Sequence, residues 1–189
     1  MIELRDLQDD DGERLFGWRR RPEVDRWMSG PAPADLQAHR RWFEGLLASS
    51  DRRAWIIALD QAPVGLLSLG GLQGPHGRVD WGWYLAEPAA RGRGVGRAAQ
   101  ALGLDQAFGL GHVRKVCSEV LADNAPALKA QAAAGFRREG YLRGHVLKGG
   151  EVHDLVVLGV LRAEWMDLRK QVLGALAGSG MIAAGAGPA

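Results

Sequence analysis

The stretch EPAARGRGVGRAAQ, residues 87–100, sets Gly92, Gly94 and Gly96 in alternation beside Arg91, Arg93 and Arg97. Glycine spaced this tightly lets a backbone approach another group closely, and arginines beside it favour an anionic one. The segment after Gly96 reads as a helix. Consecutive backbone N–H groups opening a helix, with Val95 among them, form a cradle for a pyrophosphate. A dinucleotide fingerprint starting at Gly92 and Gly94 needs a third glycine at position 97, where Arg97 stands. No Gly-Lys-Ser/Thr follows, which removes an NTPase-type phosphate loop. On spacing alone, a plain strand-to-helix turn with solvated arginines stays open beside the anion cradle.

Two further groups of residues could do chemistry. Glu119 lies in VCSEVLADN, where residues 117, 119 and 121 share one strand face. A carboxylate between Cys117 and Leu121 is either edge-exposed or ion-paired, or a base acting directly or through water. Cys117 lies among apolar residues with no activating partner and is not read as a nucleophile. The second group is aromatic and cationic. Of seven tryptophans, Trp18, Trp27 and Trp42 fall in the first 42 residues, interleaved with Arg19, Arg21 and His39. Trp27, Met28 and Trp42 at helical spacing are also consistent with ordinary core. Arg19 and Arg21 are also consistent with a solvated helix end.

The elements that must position these residues follow from periodicity and punctuation. MIELRDL alternates as a strand, and Asp9 to Asp11 start a helix over GERLFGWRR. PEVDRWM is a short helical piece, and LQAHRRWFEGLLAS carries a helical apolar stripe. RRAWIIALD and APVGLLSLGGL pair as a hairpin around residues 60–62, with RVDWGWYLAE as the next strand. A helix after the glycine loop ends at Gly109 or Gly111. The strand VRKVCSEVLA and a helix over NAPALKAQAAAG follow. Residues from 137 form a long hairpin turning at Gly149-Gly150, and residues 163–177 form a last helix. The Gly/Ala-rich end, GSGMIAAGAGPA, reads as a mobile tail. Strand–loop–helix–strand at the centre implies a parallel pair. The expectation is an α/β (α+β) fold: a mixed, mostly antiparallel seven-stranded sheet with helices on both faces.

Composition bounds the rest. The chain has 189 residues, 24 basic and 22 acidic side chains and a formal charge of +2, with one cysteine. The balance argues against a protein that coats nucleic acid. The lone cysteine excludes an internal disulfide framework, no metal-binding pattern stands out, and no apolar run reaches the ~18 residues of a membrane span. The expected setting is cytoplasmic, without nucleic-acid or membrane partners and with room for a homodimer.

Arg91-x-x-Gly94-x-Gly96 resembles the acetyl-CoA pyrophosphate loop of the GNAT N-acetyltransferase family. Asn124 after the next strand, Gly135-Phe136 closing the next helix, and the order of elements to about residue 165 fit the same pattern. The resemblance implies a domain over 1–165, with a C-terminal helix and tail over 166–189. It implies a parallel strand pair splayed around acetyl-CoA, with no metal. It places Leu85, Ala86, Arg91, Gly92, Arg93, Gly94, Val95, Gly96, Arg97 and Asn124 at the acetyl-CoA site, with backbone groups near Tyr84 pairing alongside. Where relatives carry a tyrosine that serves the departing thiolate, seven residues after the asparagine, this chain has Gln131. Tyr141 is the nearby alternative.

Within the family, WRRRPEVDRWM, LQAHRRWF, WGWYL, SEVLADN and the long hairpin resemble the UDP-4-amino-sugar N-acetyltransferases of the pseudaminic acid pathway, whose products feed flagellin and surface glycans. That resemblance implies a nucleotide-sugar acceptor, with Glu119 as base and Arg19, Trp27, Met28, His39, Trp42, Ser68 and Tyr84 around it. Arg19, Arg21, His39 and Lys148 are the cations expected for its diphosphate. A protein N-terminal acetyltransferase and an acyl-CoA-binding protein without turnover are the alternatives.

Overall fold

The computed structural model describes residues 1–184. The predicted elements form, in the predicted order. Strand β1 (Ile2–Asp6) leads into helices α1 (Asp11–Arg19), α2 (Pro22–Asp25) and α3 (Leu36–Leu47). Strands β2 (Arg52–Leu59), β3 (Ala62–Gly70) and β4 (Arg78–Leu85) form an antiparallel meander. The glycine loop opens α4 (Val95–Gly109), which is followed by β5 (Lys115–Leu121) and α5 (Ala125–Ala133). The hairpin β6 (Arg137–Lys148) and β7 (Glu151–Leu161) and helix α6 (Arg162–Gly178) complete the chain.

The strands make one sheet in the order β1-β2-β3-β4-β5-β7-β6, and the β4–β5 pair is parallel. Both tight hairpins use two residues at positive φ: Asp60 and Gln61 between β2 and β3, and Gly149 and Gly150 between β6 and β7. Asp60 tolerates this conformation, and its carboxylate also pairs with the amino group of Met1.

Alternation along the strands sends side chains into two cores. Trp55, Ile57, Leu67, Val79, Trp81, Val116 and Val120 face α4 and α6. Ala54, Ile56 and Leu66 face the helices α1–α3, packing with Leu15, Trp18 and Phe43. Helix α4 lies close on the sheet because its contact face is small: a Cβ on Gly96 would meet the Trp83 ring at 3.0 Å, and one on Gly103 would meet Leu67 at 2.6 Å. Trp165 of α6, fully buried, donates its indole N–H to Asp105 of α4 at 3.4 Å, and Arg169 forks onto the same carboxylate.

The chain end departs from expectation. Up to residue 182 it is docked, not a mobile tail. Ile182 is buried in the larger core, Met181 packs onto Gly94, and the Met181 carbonyl accepts from Ile2 N–H at 2.6 Å. The apolar side chains inside GSGMIAAGAGPA supply that anchor despite the glycine content. Residues 185–189 of the predicted tail lie outside the described residues. Because Met181 supports the glycine loop without lining the groove described below, Met181→Ala is expected to raise the KM for acetyl-CoA about 3- to 10-fold with kcat within about 2-fold. Steady-state kinetics in acetyl-CoA checks this, and an unchanged KM would show that the loop holds its shape unaided.

Candidate active site

Strands β4 and β5 pair only from Arg78↔Lys115 to Trp81↔Ser118. Beyond that point β4 continues along β3 to Gly65↔Leu85, while β5 continues along β7 to Leu121↔Leu155. The two strands therefore part, and the gap opens into a groove of about 1180 Å³. It runs from the glycine loop between β4 and β5, with α5 on one side, to α2 and the residues after it.

At the loop end the chain is built for an anion. Gly92 and Gly94 have φ of 72° and 79°, a left-handed backbone that favours glycine. Gly94 caps α4, and the first N–H to find a helical partner there is that of Ala98, bonded to the Gly94 carbonyl. The N–H groups before it, in the first turn, are left free by helix geometry and face the positive helix end. Gly92, Gly94, Gly96, Arg91 and Arg97 line the groove. Arg91 donates to the Leu85 carbonyl at 3.1 Å, bridging loop and strand.

Arg93 and Val95 are not part of the lining. Val95 is buried in the core as the first apolar residue of α4, and Arg93 is exposed outside the groove. Of the β4 backbone, Ala86 is already used, because its N–H donates to Val64 of β3 at 2.8 Å. Strand alternation turns the polar groups of Trp83 and Leu85, not those of Tyr84 and Ala86, toward the gap. Asn124 lines the groove and caps α5, its Oδ1 accepting from Ala127 N–H at 3.2 Å.

In the middle of the groove, Gln131 and Ser118 meet from α5 and β5 with Nε2 and Oγ 2.8 Å apart. Both are buried. Tyr141 is not brought here. It sits 44% exposed on β6 with its hydroxyl on Asp154 at 2.5 Å, a hydrogen bond that raises its pKa. Tyr84 does line the groove. Burial pushes its ionisation well above that of a free phenol, so its hydroxyl stays neutral, and that hydroxyl has no partner among the described residues.

Glu119 points the other way from Ser118, exposed on the groove wall shared with Trp27 and Met28. Among the described residues no hydrogen bond or ion pair holds it. Cys117 lies on the same wall, half-buried, and burial raises its pKa despite Lys115 and Arg78 nearby. A protonated thiol there is consistent with its exclusion as a nucleophile.

The remaining acceptor residues are placed elsewhere. Arg19 reaches Asp25 and the carbonyls of Gly30 and Pro31, fixing the chain after α2. Arg21 bonds Glu87 at 3.0 Å and the Ala86 carbonyl at 3.2 Å, while Trp18 also donates to Glu87. Lys148, at the hairpin tip, bonds the carbonyls of Asp25 and Met28. His39 is buried between α1 and α3 against the Gly12 carbonyl at 3.0 Å, and desolvation lowers its pKa so that it stays neutral. Trp42 stacks on His39 at 5.0 Å, half outside. Ser68 contacts Gly82 across the sheet. Arg19, Arg21 and Lys148 are spent on protein oxygen atoms and His39 is buried and neutral, and none of the four expected for a diphosphate lines the groove.

The groove's parts fit an extended anionic chain ending in a thioester: free N–H groups at a helix start, an unpaired strand edge, and buried donors in the middle. Residues 2–137 match the acetyltransferase (GNAT) domain, and the chain belongs to that family. GNAT enzymes use acetyl-CoA, so the protein is an acetyl-CoA-dependent N-acetyltransferase. It is 21% identical over 169 residues to the uncharacterized N-acetyltransferase p20 of Bacillus licheniformis, covering 87% of this chain and 94% of that one. Its fold is similar to spermidine N-acetyltransferase from Vibrio cholerae in complex with CoA and spermine, with a TM-score of 0.81 and 17% identity over 87% of this chain and 98% of that one. It is also similar to aminoglycoside acetyltransferase AAC(6')-Ib in complex with coenzyme A, with a TM-score of 0.74 and 20% identity over 89% and 99%. Among the described residues no helix is long and apolar enough to cross a membrane, and no group of acidic, histidine or cysteine side chains is arranged to hold a metal.

Proposed function

We propose that the acceptor is a primary amine on a small cationic molecule, which meets the acetyl thioester at the α2 end of the groove and gives its proton to Glu119. The observation that carries this reading is a set of uncommitted carboxylates in the groove. Glu23, Asp80 and Glu119 line the groove with no side-chain hydrogen bond or ion pair among the described residues, although Arg26, Arg78 and Lys115 line it as well. Carboxylates left free in a groove attract ammonium groups, and Trp27 and Met28 offer an apolar surface to the carbon chain between them. Acceptors of this character appear in the names of the similar folds, a spermidine and an aminoglycoside acetyltransferase.

Acetyl-CoA supplies an already activated acyl group, so the protein's residues need to do three things. The loop and the start of α4 hold the phosphates. The edge of β4, at Trp83 and the Leu85 N–H (the Leu85 carbonyl accepts from Arg91), aligns the arm and offers an N–H to the carbonyl oxygen as it gains charge. Glu119 takes the proton that the amine must lose, directly or through water.

One observation favours the nucleotide-sugar acceptor as a second reading: the Arg26 guanidinium lies 4.6 Å from the Trp27 ring centre at the groove, an aromatic platform with a cation beside it. A panel decides between them. With acetyl-CoA held constant, kcat/KM is measured for spermidine, an aminoglycoside, a UDP-4-amino-sugar and a peptide with a free N-terminus. The first two are expected to exceed the others by about 100-fold. Preference for the UDP-sugar would overturn the cationic-acceptor reading in favour of the second. Preference for the peptide would overturn both.

A further inference from the structure

We infer that Ser118 is the hydrogen-bond donor to the departing thiolate and that Gln131 holds it in that role. The inference rests on acetyl transfer taking place where β4 and β5 part.

Ser118 is the last residue of β5 in register with β4, opposite Trp81. It therefore stands at the closed end of the gap, where an arm lying between the strands must stop. Its side chain is 3% exposed and lines the groove, turned toward α5 and away from the Glu119 wall. Gln131, 1% exposed, occupies the facing turn of α5 and donates Nε2–H to Ser118 Oγ at 2.8 Å. That bond fills one lone pair of the hydroxyl and leaves the hydroxyl hydrogen uncommitted. An amide donor behind a hydroxyl also polarises it, making it a better donor in turn.

The pair is not a satisfied core contact. Gln131 Oε1 is buried with no partner among the described residues. A core built for packing alone would place apolar side chains here, as β5 does at Val116 and Val120 on the same face. Neither phenol stands beside Ser118. Tyr141 is tied to Asp154 outside the groove, and Tyr84, whose free hydroxyl does line the groove, packs with the helices α1–α3 on the face of the sheet opposite Ser118.

Ser118 keeps its own proton. As the acceptor nitrogen bonds to the carbonyl carbon, the carbon–sulfur bond breaks and its electron pair goes to sulfur. The proton released by the amine goes to Glu119 and on to solvent, and the thiolate later takes one from solvent. Ser118 Oγ–H lowers the energy of the negative sulfur during departure without being consumed.

The test reads the thiolate directly. Free CoA is bound to the enzyme and its thiol titrated by the ultraviolet absorbance of the thiolate. In the wild type the bound thiol is expected to ionise about one pH unit lower than in Ser118→Ala, a tenfold difference in the ionisation constant. In parallel, kcat for Ser118→Ala is expected to fall about 10- to 100-fold with KM for acetyl-CoA within about 2-fold, and Ser118→Thr to recover most of the loss. Ser118→Ala leaves Gln131 without its partner and could disturb folding, so the double variant Ser118→Ala/Gln131→Leu, with nothing polar left buried, is measured beside it with the same expectation. Identical thiol ionisation in the wild type and in either variant would overturn the assignment. The titration uses CoA without an acceptor, so an error in the acceptor class would not alter it.

Discussion

Glu119→Gln will lower turnover about 100-fold or more at neutral pH and leave the affinity for acetyl-CoA within about 3-fold of wild type. The substitution keeps the size and polarity of the side chain but removes its ability to take a proton. Glu119 is exposed on the groove and free of protein partners, so no buried network collapses with it. The loss should shrink as the pH rises, because an amine that has already shed its proton needs no base to become a nucleophile. A variant rate that climbs toward the wild-type rate between neutral pH and the amine's own pKa is the expected profile. Turnover equal to wild type at neutral pH would remove Glu119 as the base and leave it as an electrostatic contact for the acceptor.

Gly94→Val will raise the dissociation constant for acetyl-CoA about 30-fold or more. The dominant cost at this position is the backbone. At φ of 79°, a β-branched residue is an outlier that must drag the backbone with it. A Cβ there would also lie 2.8 Å from the Met181 Cε, the flexible end of a side chain that can swing aside. Relieving the backbone strain turns the loop and moves the N–H groups that open α4. Calorimetric titration with acetyl-CoA measures the effect. Gly94→Ala, with the same φ penalty but less bulk, should fall between the two. Affinity unchanged in Gly94→Val would mean that this loop does not hold the phosphates.

How far the sequence carried depends on how local each signal is. The glycine loop, the helix that follows Asn124 and the turn at Gly149-Gly150 are written in neighbouring residues. The structure places all three where spacing and turn chemistry put them. The splay of β4 and β5 came from resemblance and is realised after Trp81 and Ser118. Of the expected acceptor residues, Trp27, Met28, Tyr84 and Glu119 line the groove, while Arg19, Arg21, His39 and Lys148 lie outside it for the opposite reason. Arg21 looks free on its helix but is bound to Glu87, and Lys148 looks free on its hairpin but is bound beside Asp25. A charge's partner 66 or 123 positions away leaves no trace in local pattern.

The Ser118–Gln131 contact was missed although half of its signal was present. Strand alternation puts Ser118 on the apolar face with Val116 and Val120, where a lone hydroxyl calls for a partner. Only the packing of α5 against β5 identifies that partner as Gln131. Likewise Met181 and Ile182 sit in a glycine-rich stretch whose composition hides two anchors.

The central claim is that the loop at residues 92–97 and the free edge at the end of β4 together hold the acetyl donor. Hydrogen–deuterium exchange, compared with and without CoA, reads both segments at once. Slowed exchange is expected at residues 92–97 and 82–85, with little change in β1 and β2. Saturating CoA that leaves both segments exchanging at their free rates would contradict it.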